Sequence, residues 1–168
     1  LRLTELEPEH EAAFADYLEA VRAEGDDNRW LAEYQNLPYA GVVEKLKCWK
    51  TGEKLPSDWV PASTLFLMRE GKIVGQVSIR HELNDFLLRI GGHIGYYIRA
   101  DQRKKGYGSL ILKLALKEVR RIGLNRVLVT CDEGNIGSQK IIEKHGGMLE
   151  NVELMENRPP KRRYWIAL

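Results

Sequence analysis

The chain has 168 residues, 43% of them hydrophobic and 30% charged, with 26 Lys and Arg against 24 Asp and Glu. That balance suits one soluble domain over residues 1–168 and excludes a strongly basic nucleic-acid binder. Two cysteines, four scattered histidines and no long apolar run argue against a disulfide framework, a metal or a membrane span, so a cytoplasmic placement is expected.

In chain order, Leu1 to Thr4 reads as a short strand. A helix is predicted from Pro8 to about Glu24, with Phe14, Leu18 and Val21 at helical spacing and Pro8 in the first turn. Gly25-Asp26-Asp27-Asn28 breaks it. Tyr39 to Trp49 predicts a second helix, ended by Thr51-Gly52, and Pro56 to Pro61 reads as loop. Thr64–Arg69 and Ile73–Arg80 read as strands joined into a hairpin at Glu70-Gly71-Lys72. His93 to Arg99, after Gly91-Gly92, reads as a third strand.

From Gly106 the period changes. Leu110, Ile111, Leu114, Ala115, Val119 and Ile122 form one helical stripe, and Gly123 stops it. Arg126 to Thr130 reads as a buried strand. Asn135 to His145 reads as a helix, N-capped by Asn135 and stopped by Gly146-Gly147. Met148–Met155 and Arg163–Ala167 read as two closing strands. The order predicts an α/β (α+β) domain, a mixed sheet with helices on its faces.

The chemistry is concentrated where strand His93–Arg99 passes into the long helix. Gly106 and Gly108 allow close backbone approach, and amides of residues 104–109 open toward a helix N-terminus. That arrangement suits a phosphate or pyrophosphate, with Lys104 and Lys105 adding charge. A turn whose glycines serve geometry alone accounts equally for the spacing. GxxxxGK[ST] is absent, and so is GxGxxG after a first strand.

Arg103-x-x-Gly106-x-Gly108 resembles the [RQ]xxGx[GA] signature of the GNAT superfamily of acyl-CoA-dependent N-acyltransferases. Asn135-x-x-Ser138 followed by Glu143-Lys144-His145-Gly146 resembles its second motif, NxxS/A…YEKxGF. The match runs from about Gly91 to Gly147, and Cys131-Asp132-Glu133-Gly134-Asn135 followed by Ile142-Glu143-Lys144-His145-Gly146-Gly147 looks like a bacterial subgroup of acetyltransferases. The resemblance implies a GNAT-like, mostly antiparallel central sheet flanked by helices on both faces. It implies residues 91–147 as an acyl-CoA core, residues 1–62 as the acceptor side, and acetyl-CoA as co-substrate.

By position, main-chain groups near Tyr97, Ile98 and Arg99 would pair with the pantetheine arm. Amides from Arg103 through Lys104, Lys105, Gly106, Tyr107, Gly108 and Ser109 would hold the pyrophosphate. Asn135 and Ser138 would contact the pantetheine or phosphate side, a role compatible with capping the helix they begin. A homodimer is compatible with the family. Two positions depart from the pattern: Ile142 stands where many relatives carry a tyrosine general acid, and Gly147 where the pattern has an aromatic.

The implied reaction is direct attack of an amine on the thioester, with an unidentified amine acceptor on a small molecule or protein. It calls for a base and an oxyanion donor, the latter expected from strand amides near Ile98. His93 is the candidate base by position, with an unperturbed pKa near 6.5; a histidine bonded within the sheet is the alternative. Glu82 and Asp85 are further candidates. Tyr97 and its neighbour Tyr96 could act as acid, line the pocket or pack. His145 fits a dipole contact at a helix C-terminus, and Cys131 a small core hydrophobe. Trp30, Tyr34, Trp49 and Trp59 would cover the acceptor side. A noncatalytic acyl-CoA sensor is the competing function, and an interaction domain a third.

Overall fold

The computed structural model describes residues 1–25 and 29–168. The expected break at residues 26–28 and the side chains of Arg29 and Trp30 lie outside the described residues. The strands are β1 (Arg2–Thr4), β2 (Ala62–Arg69), β3 (Lys72–Arg80), β4 (Ile94–Ile98), β5 (Arg126–Asp132), β6 (Met148–Glu153) and β7 (Lys161–Ala167). The helices are α1 (Glu11–Arg22), entered through a 3-10 turn at Pro8–His10, α2 (Arg29–Ala32), α3 (Tyr39–Thr51), α4 (Tyr107–Arg121) and α5 (Ile136–Lys144). A π-helical turn, Leu87–Gly91, leads into β4.

The strands form one sheet in the order β1-β2-β3-β4-β5-β7-β6, antiparallel throughout except for the β4–β5 pair. This is the mixed, mostly antiparallel sheet the sequence implies. Local chemistry explains its punctuation. Glu70 and Gly71 both take positive φ (49° and 77°), as a two-residue hairpin turn requires. Gly52 closes α3 in the left-handed region.

Alternation along the strands sends side chains to two cores. One face packs Leu65, Leu67, Val77, Val127 and Val129 beneath the α4 stripe Ile111, Leu112, Ala115 and Val119. The other packs Phe66, Met68 and Ile73 beneath Phe14, Tyr17 and Val21 of α1 and Val42, Leu46 and Trp49 of α3. No helix among the described residues is long and apolar enough to cross a membrane.

Candidate active site

β4 and β5 part company. Their ladder has a single register pair, Ile94↔Val129, and beyond it they diverge. His93 stands at the vertex. Its N–H donates to Leu128 O at 2.7 Å, and its ring Nδ1 accepts from Leu128 N–H at 2.9 Å, so an imidazole replaces a ladder bond where the strands separate. The ring is buried, edge-on to Trp165, and its pKa is lowered to about 4, first by burial and then by Arg80 and Arg126. The candidate base is thus a neutral group whose Nδ1 is already occupied, and it lines neither cavity of the cleft described below.

The gap between the strands exposes backbone. His93 and Arg99 pair with β3, through Arg80 N–H to His93 O and Arg99 N–H to Val74 O. In an antiparallel ladder alternate residues point the same way, so Tyr96 and Ile98 turn their N–H and C=O groups from β3 into the gap. Arg103 Nε already donates to Ile98 O at 2.9 Å.

The gap continues into a groove of about 640 Å³. Tyr96, Tyr97, Ile98, Arg103, Lys104, Gly106, Gly108, Ser109, Asn135 and Ser138 line it, which brings both sequence motifs to one place. Gly106 N-caps α4 in the left-handed conformation (φ 83°), and no side chain caps the helix, so its first amides face the groove's mouth. Gly108 is small for a different reason. A Cβ there would meet Ile141 Cδ1 at 2.8 Å, so the tip of the α5 side chain packs directly on the glycine.

Other members of the implied set point elsewhere. The Tyr107 ring is buried in the core, and Arg69 donates to its hydroxyl. Lys105 Nζ bonds Asp101 O at 2.9 Å and Gln102 Oε1 at 3.2 Å. The buried Arg99 guanidinium pairs with Asp16 at 2.6 Å and Asp101 at 2.8 Å, fixing α1 to the end of β4. Asn135 Oδ1 accepts from Ser138 N–H at 3.0 Å, the expected cap of α5.

Glu24, beyond the end of α1, escaped the sequence analysis. Its Oε1 accepts from Ala100 N–H at 2.9 Å and from the Tyr97 hydroxyl, and its Oε2 pairs with Arg103 Nη2 at 2.5 Å. The Arg103 guanidinium also lies over the Tyr97 ring, 5.4 Å from its centroid. One carboxylate therefore grips the start of the glycine loop from the other face of the sheet. No local pattern announces it, because the partners are over seventy residues away.

Nearer the vertex a second cavity, about 320 Å³, is shared with the groove through Tyr96, Asn135 and Ser138. It also touches Cys131 and the π-helical turn. A third, about 210 Å³, adjoins it across Arg80, Phe86 and Leu87 and is walled by Trp49, Trp59, Glu33 and Asp58. No cluster of three or more His, Cys, Asp or Glu residues among the described residues is placed to hold a metal.

A family model described as an acetyltransferase (GNAT) domain matches residues 1–148. The chain belongs to the GNAT acetyltransferase family. As a GNAT enzyme it shares its fold with solved structures at low identity. A GNAT-family acetyltransferase from Streptococcus pneumoniae is 21% identical, with 99% of each chain covered and a TM-score of 0.69. Mycobacterium smegmatis RimJ, in complex with CoA-disulfide, is 15% identical over 98% of this chain and 80% of that one, with a TM-score of 0.70. The putative acetyltransferase yncA from Salmonella typhimurium, solved with acetyl-CoA, is 11% identical over 99% and 92%, with a TM-score of 0.66. No curated protein sequence matches the chain.

Within the GNAT pattern the two departures are neighbours. Ile142 is fully buried in the core under α5 and lines neither cavity of the cleft. A Cβ at Gly147 would meet Ile142 Cγ2 and its carbonyl oxygen, which leaves no room for the aromatic of the family pattern.

Proposed function

We propose that this GNAT enzyme transfers an acetyl group from acetyl-CoA to a primary amine by direct attack. The observation that carries it is the edge of β4 that leaves the ladder: Tyr96, and the Ile98 amide, offer backbone groups to an extended arm lying in the gap. The groove of about 640 Å³ reaches the start of α4, which no side chain caps and where a pyrophosphate would meet helix amides and Lys104. When bound, acetyl-CoA supplies the activated thioester.

In this reading the pantetheine arm runs along β4 toward the vertex and delivers the thioester to the cavity beside Cys131. The acceptor enters from the cavity walled by Trp49 and Trp59. The Ile98 amide, or that of Tyr96, polarises the thioester carbonyl. Direct attack is favoured over an acyl-cysteine. The Cys131 thiol is pushed up to about 11 by burial and then by Asp132, and a thiol held protonated is a poor nucleophile. His93 serves as a strut of the vertex, and proton removal from the amine falls to water or to the cleft's own polar groups.

Calorimetry with acetyl-CoA, followed by thiol release with a panel of amines, tests the proposal. Binding with amine-dependent thiol release is expected. Absence of binding at millimolar acetyl-CoA overturns the coenzyme assignment. Binding without thiol release from any amine would instead make the domain a sensor.

A further inference from the structure

The basic residues at the β6–β7 corner are matched to carboxylates, with one exception. Lys161 pairs with Asp132, Arg162 with Glu133 at 3.5 Å and Arg163 with Glu150 at 2.6 Å. Arg158, just before them, makes no hydrogen bond or ion pair with any described residue, and it lines the 320 Å³ cavity beside Cys131. Its place in the chain is nonetheless fixed. Asn157 turns the backbone in the left-handed region (φ 56°), two prolines follow, and Pro160 O accepts from Glu133 N–H at 2.8 Å. That bond fastens the corner to the end of β5.

The wall around Arg158 is positive. Arg80 lines the same cavity, its Nη1 donating to Gly91 O at 3.4 Å. Asp132, the carboxylate on that wall among the described residues, is already matched by Lys161. Burial, then Arg80 and Arg126, lowers the His93 pKa to about 4, so the same field reaches the vertex. The adjoining 210 Å³ cavity has the opposite character. Glu33 and Asp58 line it, together with the rings of Trp49, Trp59 and Phe86. A molecule spanning both cavities is therefore oriented, with its anion inward and its apolar part outward.

We infer that the acceptor is a free α-amino acid whose carboxylate is held by the Arg158 guanidinium while its amine faces the thioester. The inference rests on the acetyl-transfer reading above and narrows its amine to one class. The planar guanidinium fork matches a carboxylate, two parallel N–H groups to two oxygens. A simple ammonium entering between Arg80 and Arg158 meets like charge, which a carboxylate on the same molecule offsets. Those two cations also disfavour the protonated amine, so the nitrogen that reaches the thioester is the neutral nucleophile. The side chain lies toward Trp49, Trp59 and Phe86, of which Trp59 and Phe86 are exposed. The neutral amine forms the C–N bond, the C–S bond breaks with its electron pair on sulfur, and one amine proton ends on the thiol. The carboxylate is unchanged. Arg158 sets specificity and takes no part in the bond changes.

Thiol release with the standard amino acids, each beside its own α-carboxamide, tests the inference. The carboxamide keeps the amine and side chain, lacks the anion and resembles the first residue of a peptide. It is also the weaker base, so at neutral pH a preference for the acid does not come from a larger supply of neutral amine. At least one acid should exceed its carboxamide about tenfold in kcat/KM, the strength of a charge-assisted hydrogen bond. Arg158→Ala should collapse that ratio toward one, mainly through the KM of the acid, and Arg158→Lys should keep part of it, having charge without the fork. Acetyl-CoA affinity by calorimetry should stay within about twofold in both variants, because Arg158 does not line the coenzyme groove. A variant that merely folds poorly lowers both members of a pair and leaves their ratio alone. Carboxamides used as well as the acids overturn the inference, as does turnover of neither by a protein that binds acetyl-CoA. A ratio that survives in Arg158→Ala also overturns it. A parent that binds no acetyl-CoA overturns the acetyl-transfer reading itself, which is a different result.

Discussion

A methyl group placed on Gly147 would lie 2.4 Å from Ile142 Cγ2 and 2.8 Å from the Ile142 carbonyl oxygen. The two residues that depart from the GNAT pattern are thus a single packing unit. A β-branched side chain buried under α5 and a residue without a side chain just past its end fit only each other. Gly147→Ala should destabilise the domain by about 2 kcal/mol, the usual cost of overpacking. Ile142→Ala removes the Cγ2 contact but not the carbonyl, so the cost of Gly147→Ala should shrink in that background without vanishing. A double-mutant cycle by denaturant unfolding measures the coupling, and strictly additive effects would contradict it.

Glu24 should control coenzyme affinity without touching the coenzyme. Its carboxylate fixes Arg103, the Tyr97 hydroxyl and the Ala100 amide at the entrance to the glycine loop. Without those bonds the coenzyme must order the loop as it binds, so Glu24→Ala should weaken acetyl-CoA binding by up to about tenfold. Glu24→Gln keeps an acceptor for Tyr97 and Ala100 but not the charge opposite Arg103, and it should fall between. Calorimetric affinities ranked in any other order would separate Glu24 from the loop.

His93 should make the fold acid-sensitive. Its folded pKa is lowered to about 4, whereas an unfolded histidine titrates near 6.5. The unfolded chain therefore takes up the proton first as pH falls. The stability contributed by the neutral ring is intact above pH 6.5 and is lost progressively toward pH 4. At pH 5 the loss is about 2 kcal/mol. His81, whose pKa burial also lowers, adds to the slope in the same direction. Comparison with His93→Asn isolates the His93 share, because the Asn Oδ1 can still accept from Leu128 N–H without titrating. Unfolding at pH 7 and pH 5 should show a smaller difference in the variant. Turnover by the variant should follow the parent's pH profile, as expected of a strut and not of a base.

Elements with strong local chemistry were readable from the sequence. The Glu70-Gly71 turn and the glycine stops at Gly52, Gly123 and Gly146 are where backbone preference places them. Along α4 the stripe holds at Ile111, Ala115 and Val119, but Leu112 and Leu116 are buried beside them and Ile122 is exposed. The two motifs do line one groove. What stayed hidden depends on contacts between distant segments. The π-helical turn at Leu87–Gly91 follows no distinctive pattern, since Leu87-Leu88-Arg89-Ile90 reads as any short apolar run. Strand alternation puts Tyr96 and Tyr97 on opposite faces but does not say which face holds the cleft. β7 inserts between β5 and β6, an order chain sequence does not dictate. The ring of His93 replaces a ladder bond, and only the β4–β5 vertex makes that visible.

The parting of β4 and β5 also bears on what holds the domain together. Two half-sheets, β1 to β4 and β5 to β6, meet at one register pair, at the two bonds His93 makes to Leu128 and at the Thr130 hydroxyl on Ile90 O, over one shared hydrophobic core. On the proposed reading, a ligand that fills the gap would act as an inserted strand and join the halves through its own amides. Coenzyme uptake and mechanical cohesion would then become one equilibrium. At a hundred times its dissociation constant the ligand would add about 3 kcal/mol to the folded state. Supply of the acyl donor would thereby set resistance to heat and proteolysis as well as rate, and a starved enzyme would be the first to loosen along this seam.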